Sequence, residues 1–88
     1  MGVSRTVTII NRKGLHARPA ASFVKLASQF DCKIRILEGD KNVDGKSIMG
    51  MMMLAASQGT QIIIRTDGKD ETAAIESLSN LVAQGFNE

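Results

Sequence analysis

The only histidine of this 88-residue chain, His16, and its only proline, Pro19, stand three positions apart in the stretch Asn11-Arg12-Lys13-Gly14-Leu15-His16-Ala17-Arg18-Pro19-Ala20. An imidazole titrates near neutrality, so an unprotonated ring nitrogen is available as a nucleophile at cellular pH. Arg18 adds a planar cation suited to phosphate. Proline is tolerated in the first turn of a helix, where its missing N–H has no intrahelical partner anyway. Beyond it, Ala20, Phe23, Val24, Ala27 and Phe30 recur at helical spacing. The imidazole therefore sits at a helix N-terminus, beside the free N–H groups of Ala17 and Arg18 and the positive end of the dipole. A lone loop histidine is ordinarily a solvated surface residue. Here a titratable nitrogen adjoins an anion site, which is what phosphoryl capture requires. Arg18 points the same way, because a cation at this end of a helix costs about a few tenths of a kcal/mol unless an anion offsets it.

The elements that must hold these residues follow from periodicity. Val3 to Ile10 alternates Val3, Val7 and Ile9 against Ser4, Thr6 and Thr8, a strand with one wet face and Arg5 on its apolar side. Asn11-Arg12-Lys13-Gly14 is a loop in which Gly14 supplies backbone freedom just before His16. A helix is predicted from Ala17 to Gln29, then a strand in which Cys32, Ile34 and Ile36 alternate with Lys33 and Arg35. Glu38-Gly39-Asp40-Lys41 turns into a short strand around Asn42 and Val43. Ser47 is a good N-cap for a short helix over Ile48 to Ala55, closed by Gly59 in a left-handed C′ position. Thr60 to Thr66, with Ile62, Ile63 and Ile64, is a strand buried on at least one face. Asp67-Gly68 turns the chain and Asp70 caps a last helix with Ile75, Leu78, Leu81, Val82 and Phe86 as its apolar stripe.

The order is βαββαβα. Polar outer positions on the first two strands argue that helices cover one face only, and a sheet with one solvated face is usually antiparallel. The expected fold is an α+β open-faced β-sandwich, a four-stranded antiparallel sheet with three helices on one face, forming a single domain over residues 1–88. Within the short helix, Met51 and Leu54 should turn inward, leaving Ile48, Met49 and Met52 as a small outer apolar patch. Methionine adapts its shape, which suits a surface that docks several different proteins.

The segment Gly14-Leu15-His16-Ala17-Arg18-Pro19-Ala20 resembles the active-site segment of the HPr family, the histidine-containing phosphocarriers of the bacterial phosphoenolpyruvate-dependent phosphotransferase system. A second segment, Gly45-Lys46-Ser47-Ile48-Met49-Gly50, resembles the family's regulatory-serine region, and the two fall at the family's usual separation. The likeness runs along nearly the whole chain and implies the same open-faced fold. It implies that His16 accepts a phosphoryl group on Nδ1 from phosphorylated enzyme I and passes it to IIA proteins. Such a chain is a stoichiometric carrier rather than an enzyme, and needs no cofactor. Arg18 would stabilise the phosphoryl group, with the backbone of Ala17 and Arg18. Ile48, Met49 and Met52 would bind partners together with Leu15 and Ala20 beside the histidine, and a serine kinase/phosphorylase would act on Ser47. Leu81 to Glu88 resembles the nitrogen-related branch of the system, whereas Gly45 to Gly50 resembles its sugar-uptake members.

Composition restricts the alternatives. A net charge of +2 is a mild excess, although with a pI near 9.0 and Arg5, Arg12, Lys13, Arg18 and Lys25 it admits a small nucleic-acid-binding α/β module as the rival reading. Aromatic residues amount to 3 %, with no Trp or Tyr, which leaves no stacking platform for single strands. One His and one Cys at distant positions supply no metal set. Cys32 cannot form an internal disulfide and fits a reducing compartment as a packed small hydrophobe. Acidic residues are expected mainly in turns and on solvated helix faces. The first residues lack the apolar core of a signal peptide and no run reaches membrane-spanning length, so a cytoplasmic location without membrane insertion is expected.

Overall fold

Alternation decides the sheet. In the computed structural model, which describes residues 1–88, the strands are β1 (Gly2–Thr8), β2 (Cys32–Glu38), β3 (Lys41–Asp44) and β4 (Gln61–Gly68). The helices are α1 (Ala17–Ala27), α2 (Ile48–Met53) and α3 (Glu71–Ala83), followed by a 3-10 turn at Gly85–Asn87. The strands form one sheet in the order β1-β4-β2-β3, antiparallel at every pairing. Ile34 and Ile36 on β2 face the helices, in register with Thr66 and Ile64 on β4. On the opposite face Ile63 is exposed, as period-two alternation requires of the middle isoleucine. One core joins this inner face to Phe23 of α1, Met51 and Leu54 at α2, and Ile75, Leu78 and Val82 of α3.

Arg5 shares the inward face with Val3 and Val7 and pairs with buried Ile64, yet it is exposed. β1 is an edge strand, so its long side chain escapes to solvent past the rim of the core. Such an inward-aimed charge also blunts the edge against pairing with another chain.

Several element ends differ from the sequence expectation. Regular pairing of β1 stops at Thr8 rather than Ile10, although Ile9 stays buried and its backbone still bonds with Thr60 and Gly59. α1 ends at Ala27, where the Ser28, Gln29 and Phe30 amides tighten onto Val24, Leu26 and Ala27 carbonyls. α2 stops at Met53, and the residue that turns left-handed after it is Ala55 (φ 50°), not Gly59. The Lys41 ammonium compensates by donating to the Leu54 carbonyl at 3.3 Å. β4 runs two residues past Thr66, with Asp67 and Gly68 still paired to Lys33 and Cys32. Asp70 occupies the N-cap position of α3, but its side chain does not cap the helix. Its Oδ2 instead accepts the Asp31 amide at 2.8 Å, tying the residue just before β2 to the start of α3. That bond, foremost, holds the Asp70 carboxyl below its ordinary value. Leu81 is only half-buried, and Phe86 packs from the 3-10 turn rather than from α3.

Candidate functional site

The loop from Asn11 to Leu15 sets the site, and Gly14 sets the loop. Gly14 has φ +69°, and a Cβ there would lie 2.5 Å from the Ala56 carbonyl oxygen. Only glycine admits both the left-handed backbone and this approach. The next amide, Leu15, donates to that same carbonyl at 2.8 Å, pinning the loop to the segment after α2. Asn11, buried, closes the turn by donating from Nδ2 to the Gly14 carbonyl at 2.7 Å.

His16 then stands in the N-cap position of α1 with an extended backbone. Its carbonyl accepts the Ala20 amide, and no side chain caps the helix. The amides of Ala17 and Arg18 therefore have no intrahelical acceptor and face the solvent side of the first turn. Pro19 is buried in that turn, where its absent N–H removes nothing. Arg18 is exposed, and its guanidinium makes neither a hydrogen bond nor an ion pair. The predicted trio of imidazole, guanidinium and free amides is thus brought together at one helix end.

The imidazole is not alone. Its Nε2 lies 2.9 Å from Oε2 of Glu88, and the other carboxylate oxygen accepts Asn11 Nδ2 at 2.8 Å. Burial by itself would raise the Glu88 carboxyl, but the bonds from Asn11 and His16 and the charges of His16 and Arg18 outweigh it. The carboxyl is held below its ordinary value, so Glu88 is an anion throughout the neutral range. An anion accepts and cannot donate, so the proton of a neutral imidazole belongs on Nε2. Nδ1, which makes no hydrogen bond, carries the bare lone pair. The segment that delivers Glu88 is conformationally costly at one residue: Phe86 (φ 58°) is left-handed despite its bulk and is held there by burial, whereas Asn87 (φ 61°) is of a type that tolerates this region.

An open hollow of about 720 Å³ lies over this end of α1, lined by Arg12, Lys13, His16, Arg18 and Ser22 among others. Three cations, two free amides and the Glu88 carboxylate line this hollow beside Nδ1, an arrangement with a net positive side-chain charge that is chemically able to receive an anion. No cluster of His, Cys, Asp or Glu fit for a metal exists anywhere in the chain.

A family model described as the phosphotransferase-system HPr component phosphorylation site matches residues 3–84. The chain belongs to the HPr family. The phosphocarrier protein HPr of Pseudomonas putida is 48 % identical over 86 residues, covering 97 % of this chain and 96 % of that one. The phosphocarrier protein HPr of Neisseria meningitidis serogroup A is 45 % identical over 86 residues, 98 % of this chain and 97 % of its own length. A crystal structure of HPr-C-His from Thermoanaerobacter tengcongensis superposes with a TM-score of 0.94 at 44 % identity, covering 98 % and 97 % of the two chains. The open-faced sandwich of this chain is therefore the HPr fold.

The remaining expected site residues divide. Ser47 caps α2, its Oγ accepting the Gly50 amide at 3.1 Å. Ile48, Met49 and Met52 are exposed together as expected, and Met51 and Leu54 are buried. Met53 joins the outer patch, a member the sequence reading left out. Leu15 and Ala20 do not: both are buried, Leu15 because its amide is drawn onto Ala56 and Ala20 because it follows Pro19 onto the inner face of α1. Neither side chain is available to a docking partner. Asn11 and Glu88 are the neighbours of His16 that the sequence pattern does not single out. Asn11, three residues ahead of a loop glycine, carries a turn signal. The general expectation that acidic residues lie in turns and on solvated faces does not single out Glu88, and nothing local announces a contact across 72 positions of sequence.

Proposed function

We propose that the chain is a phosphocarrier in which Nδ1 of His16 receives a phosphoryl group from phosphorylated enzyme I and gives it up to a IIA protein. The observation that carries this reading is the 2.9 Å contact of Nε2 with Glu88, which leaves Nδ1 as the nucleophile at the mouth of a cationic hollow. A bond forms between Nδ1 and phosphorus as the donor's bond to phosphorus breaks. On delivery the same exchange runs toward the acceptor. The free amides of Ala17 and Arg18 and the Arg18 guanidinium face the equatorial oxygens, so the protein contributes position and charge. Glu88 limits how tightly the dianion is held, because its own charge repels it. A carrier must release its load, and a shallow site containing an opposing carboxylate suits release.

The apolar patch of Ile48, Met49 and Met52, now with Met53, is the docking surface for enzyme I and IIA proteins. Ser47, at the edge of that patch, is the site where a serine kinase/phosphorylase would act. A phosphate there is compatible with a helix N-terminus and alters the charge of the docking face. The chain serves sugar uptake or the related nitrogen-regulating branch. No helix is long and apolar enough to cross a membrane. Arg12, Lys13 and Arg18 gather around His16 rather than forming a stripe, which favours a phosphoryl site over a nucleic-acid track.

The deciding experiment passes label from radioactive phosphoenolpyruvate through enzyme I to the wild-type chain and to His16→Ala. Acid-labile, base-stable label on the wild type alone is expected. An unlabelled wild type beside an active enzyme I would defeat the carrier reading.

A further inference from the structure

Sulfur is distributed unevenly over this molecule. The thiol of Cys32 is buried and, through burial first and then the nearby Asp70 carboxylate, is pushed up to about 11. It is shielded from solvent and carries almost no thiolate near neutrality, which makes it a poor reductant. The methionine thioethers are the opposite case. Met49, Met52 and Met53 are 76 %, 44 % and 70 % exposed, all on the outer side of α2 with Ile48 at 44 %. Met51, inside the same short helix, is 0 % exposed. Three oxidisable sulfurs thus occupy one apolar surface, with a fourth beside them sealed in the core.

We infer that Met49, Met52 and Met53 form a reversible oxidation site that converts the outer face of α2 from apolar to polar. The co-reactant is a peroxide. The thioether sulfur attacks one peroxide oxygen, a sulfur–oxygen bond forms as the oxygen–oxygen bond breaks, sulfur loses two electrons, and the other oxygen leaves with the proton of the attacked one as water. Each sulfoxide oxygen is a strong acceptor that water satisfies while the face is free. An apolar partner surface cannot satisfy it. Docking therefore weakens while the fold remains, because the one methionine that packs in the core is out of reach. The consequence for docking rests on the carrier reading above. The modification itself does not, and methionine sulfoxide reductases restore the thioether with two electrons from added thiols, which become a disulfide as the oxygen leaves in water.

The test treats the whole chain with dilute hydrogen peroxide, removes the peroxide with catalase, maps the product by peptide mass spectrometry, and measures transfer from enzyme I. Sulfoxide is expected at Met49, Met52 and Met53, and at exposed Met1, before any at Met51. The KM for the carrier should rise about tenfold or more, the loss expected when a buried acceptor is left unsatisfied. The circular dichroism should be unchanged, and the two reductases should reverse the rise. In a chain carrying Met49→Leu, Met52→Leu and Met53→Leu, KM, whatever the substitutions have done to it, should no longer respond to peroxide. Oxidation of Met51 at the rate of its neighbours, an unchanged KM in fully oxidised wild type, or an equal response in the triple variant would each overturn the inference. A chain that takes no phosphoryl group before peroxide is added sinks the carrier reading instead. The oxidation map and retention on an apolar column then judge the site alone, and unchanged retention counts against it.

Discussion

Glu88 meets His16 on the side of the ring away from Nδ1. With its anion on Nε2, the imidazole is held as one tautomer and the opposite nitrogen is left bare. Nitrogen NMR of the ring at neutral pH should show the Nε2–H form in the wild type. Glu88→Gln, whose amide can accept from or donate to Nε2, should show a mixture and slower phosphorylation by enzyme I. Asn11 acts one step further back, fixing Glu88 through its other oxygen. Because the folded carboxyl lies below its ordinary value of 4.5, its ionised contacts stabilise the fold above that pH and lose their effect as the pH falls beneath it. Followed by carbon NMR, the Glu88 carboxyl should titrate below 4.5 in the wild type and move back up in Asn11→Ala. The immediate surroundings of His16 were legible because they are written within a few residues of it. Glu88 was not, because it arrives from a turn in which Phe86 adopts a left-handed backbone angle that runs against the preference of a bulky residue.

At the scale of elements, the ends of α2 carry the informative strain. Its start is well made by Ser47, and Ser47→Ala should destabilise the chain by about 1 kcal/mol in urea unfolding. Its end is not, since Ala55 sits at φ 50° where glycine is the usual occupant. Ala55→Gly relieves a left-handed penalty of about 1–2 kcal/mol and returns part of it as unfolded-chain entropy. A net gain of about 0.5–1 kcal/mol, or roughly 4 °C in Tm, is expected by calorimetry. The sequence suggested a later stop at Gly59 because that residue has the right chemistry. In the fold its left-handed angle serves the loop into β4, whose amide contact to Ile9 continues the sheet. Gly14 is the converse case, a glycine that has no substitute. Gly14→Ala should cost about 2 kcal/mol or more and lower the rate of labelling at His16, since its Cβ would meet the Ala56 carbonyl.

For the molecule as a whole, the arrangement was legible from two periods, two residues in the strands and 3.6 in the helices, which turn Ile34, Ile36, Ile62, Ile64, Met51, Ile75, Leu78 and Val82 to the core but say nothing of Ala56 in the loop after α2. The errors lay at the boundaries and in surface exposure next to the site, where Leu15 and Ala20 were drawn inward by contacts the pattern does not encode. The integrity of that core has a direct probe in Cys32. With its thiol raised from 9.0 to about 11, the thiolate fraction at pH 8 falls about hundredfold. Alkylation of the native chain should be slower than that of the urea-unfolded chain by at least this factor, and a smaller ratio would reveal frequent opening of β2.

The position of β4 in the sheet bears on how the chain reaches this state. β4 is the last strand in the sequence, yet it lies between β1 and β2 and pairs with both. Until it is in place, β1 has no neighbour and the hairpin of β2 and β3 has a bare edge. The sheet therefore closes in a late, non-local step, and a nascent chain lacking β4 exposes strands open to pairing with other chains. The chain's exposure to aggregation is thus concentrated in synthesis and early refolding, and it falls when β4 inserts and leaves only the outer edges of β1 and β3.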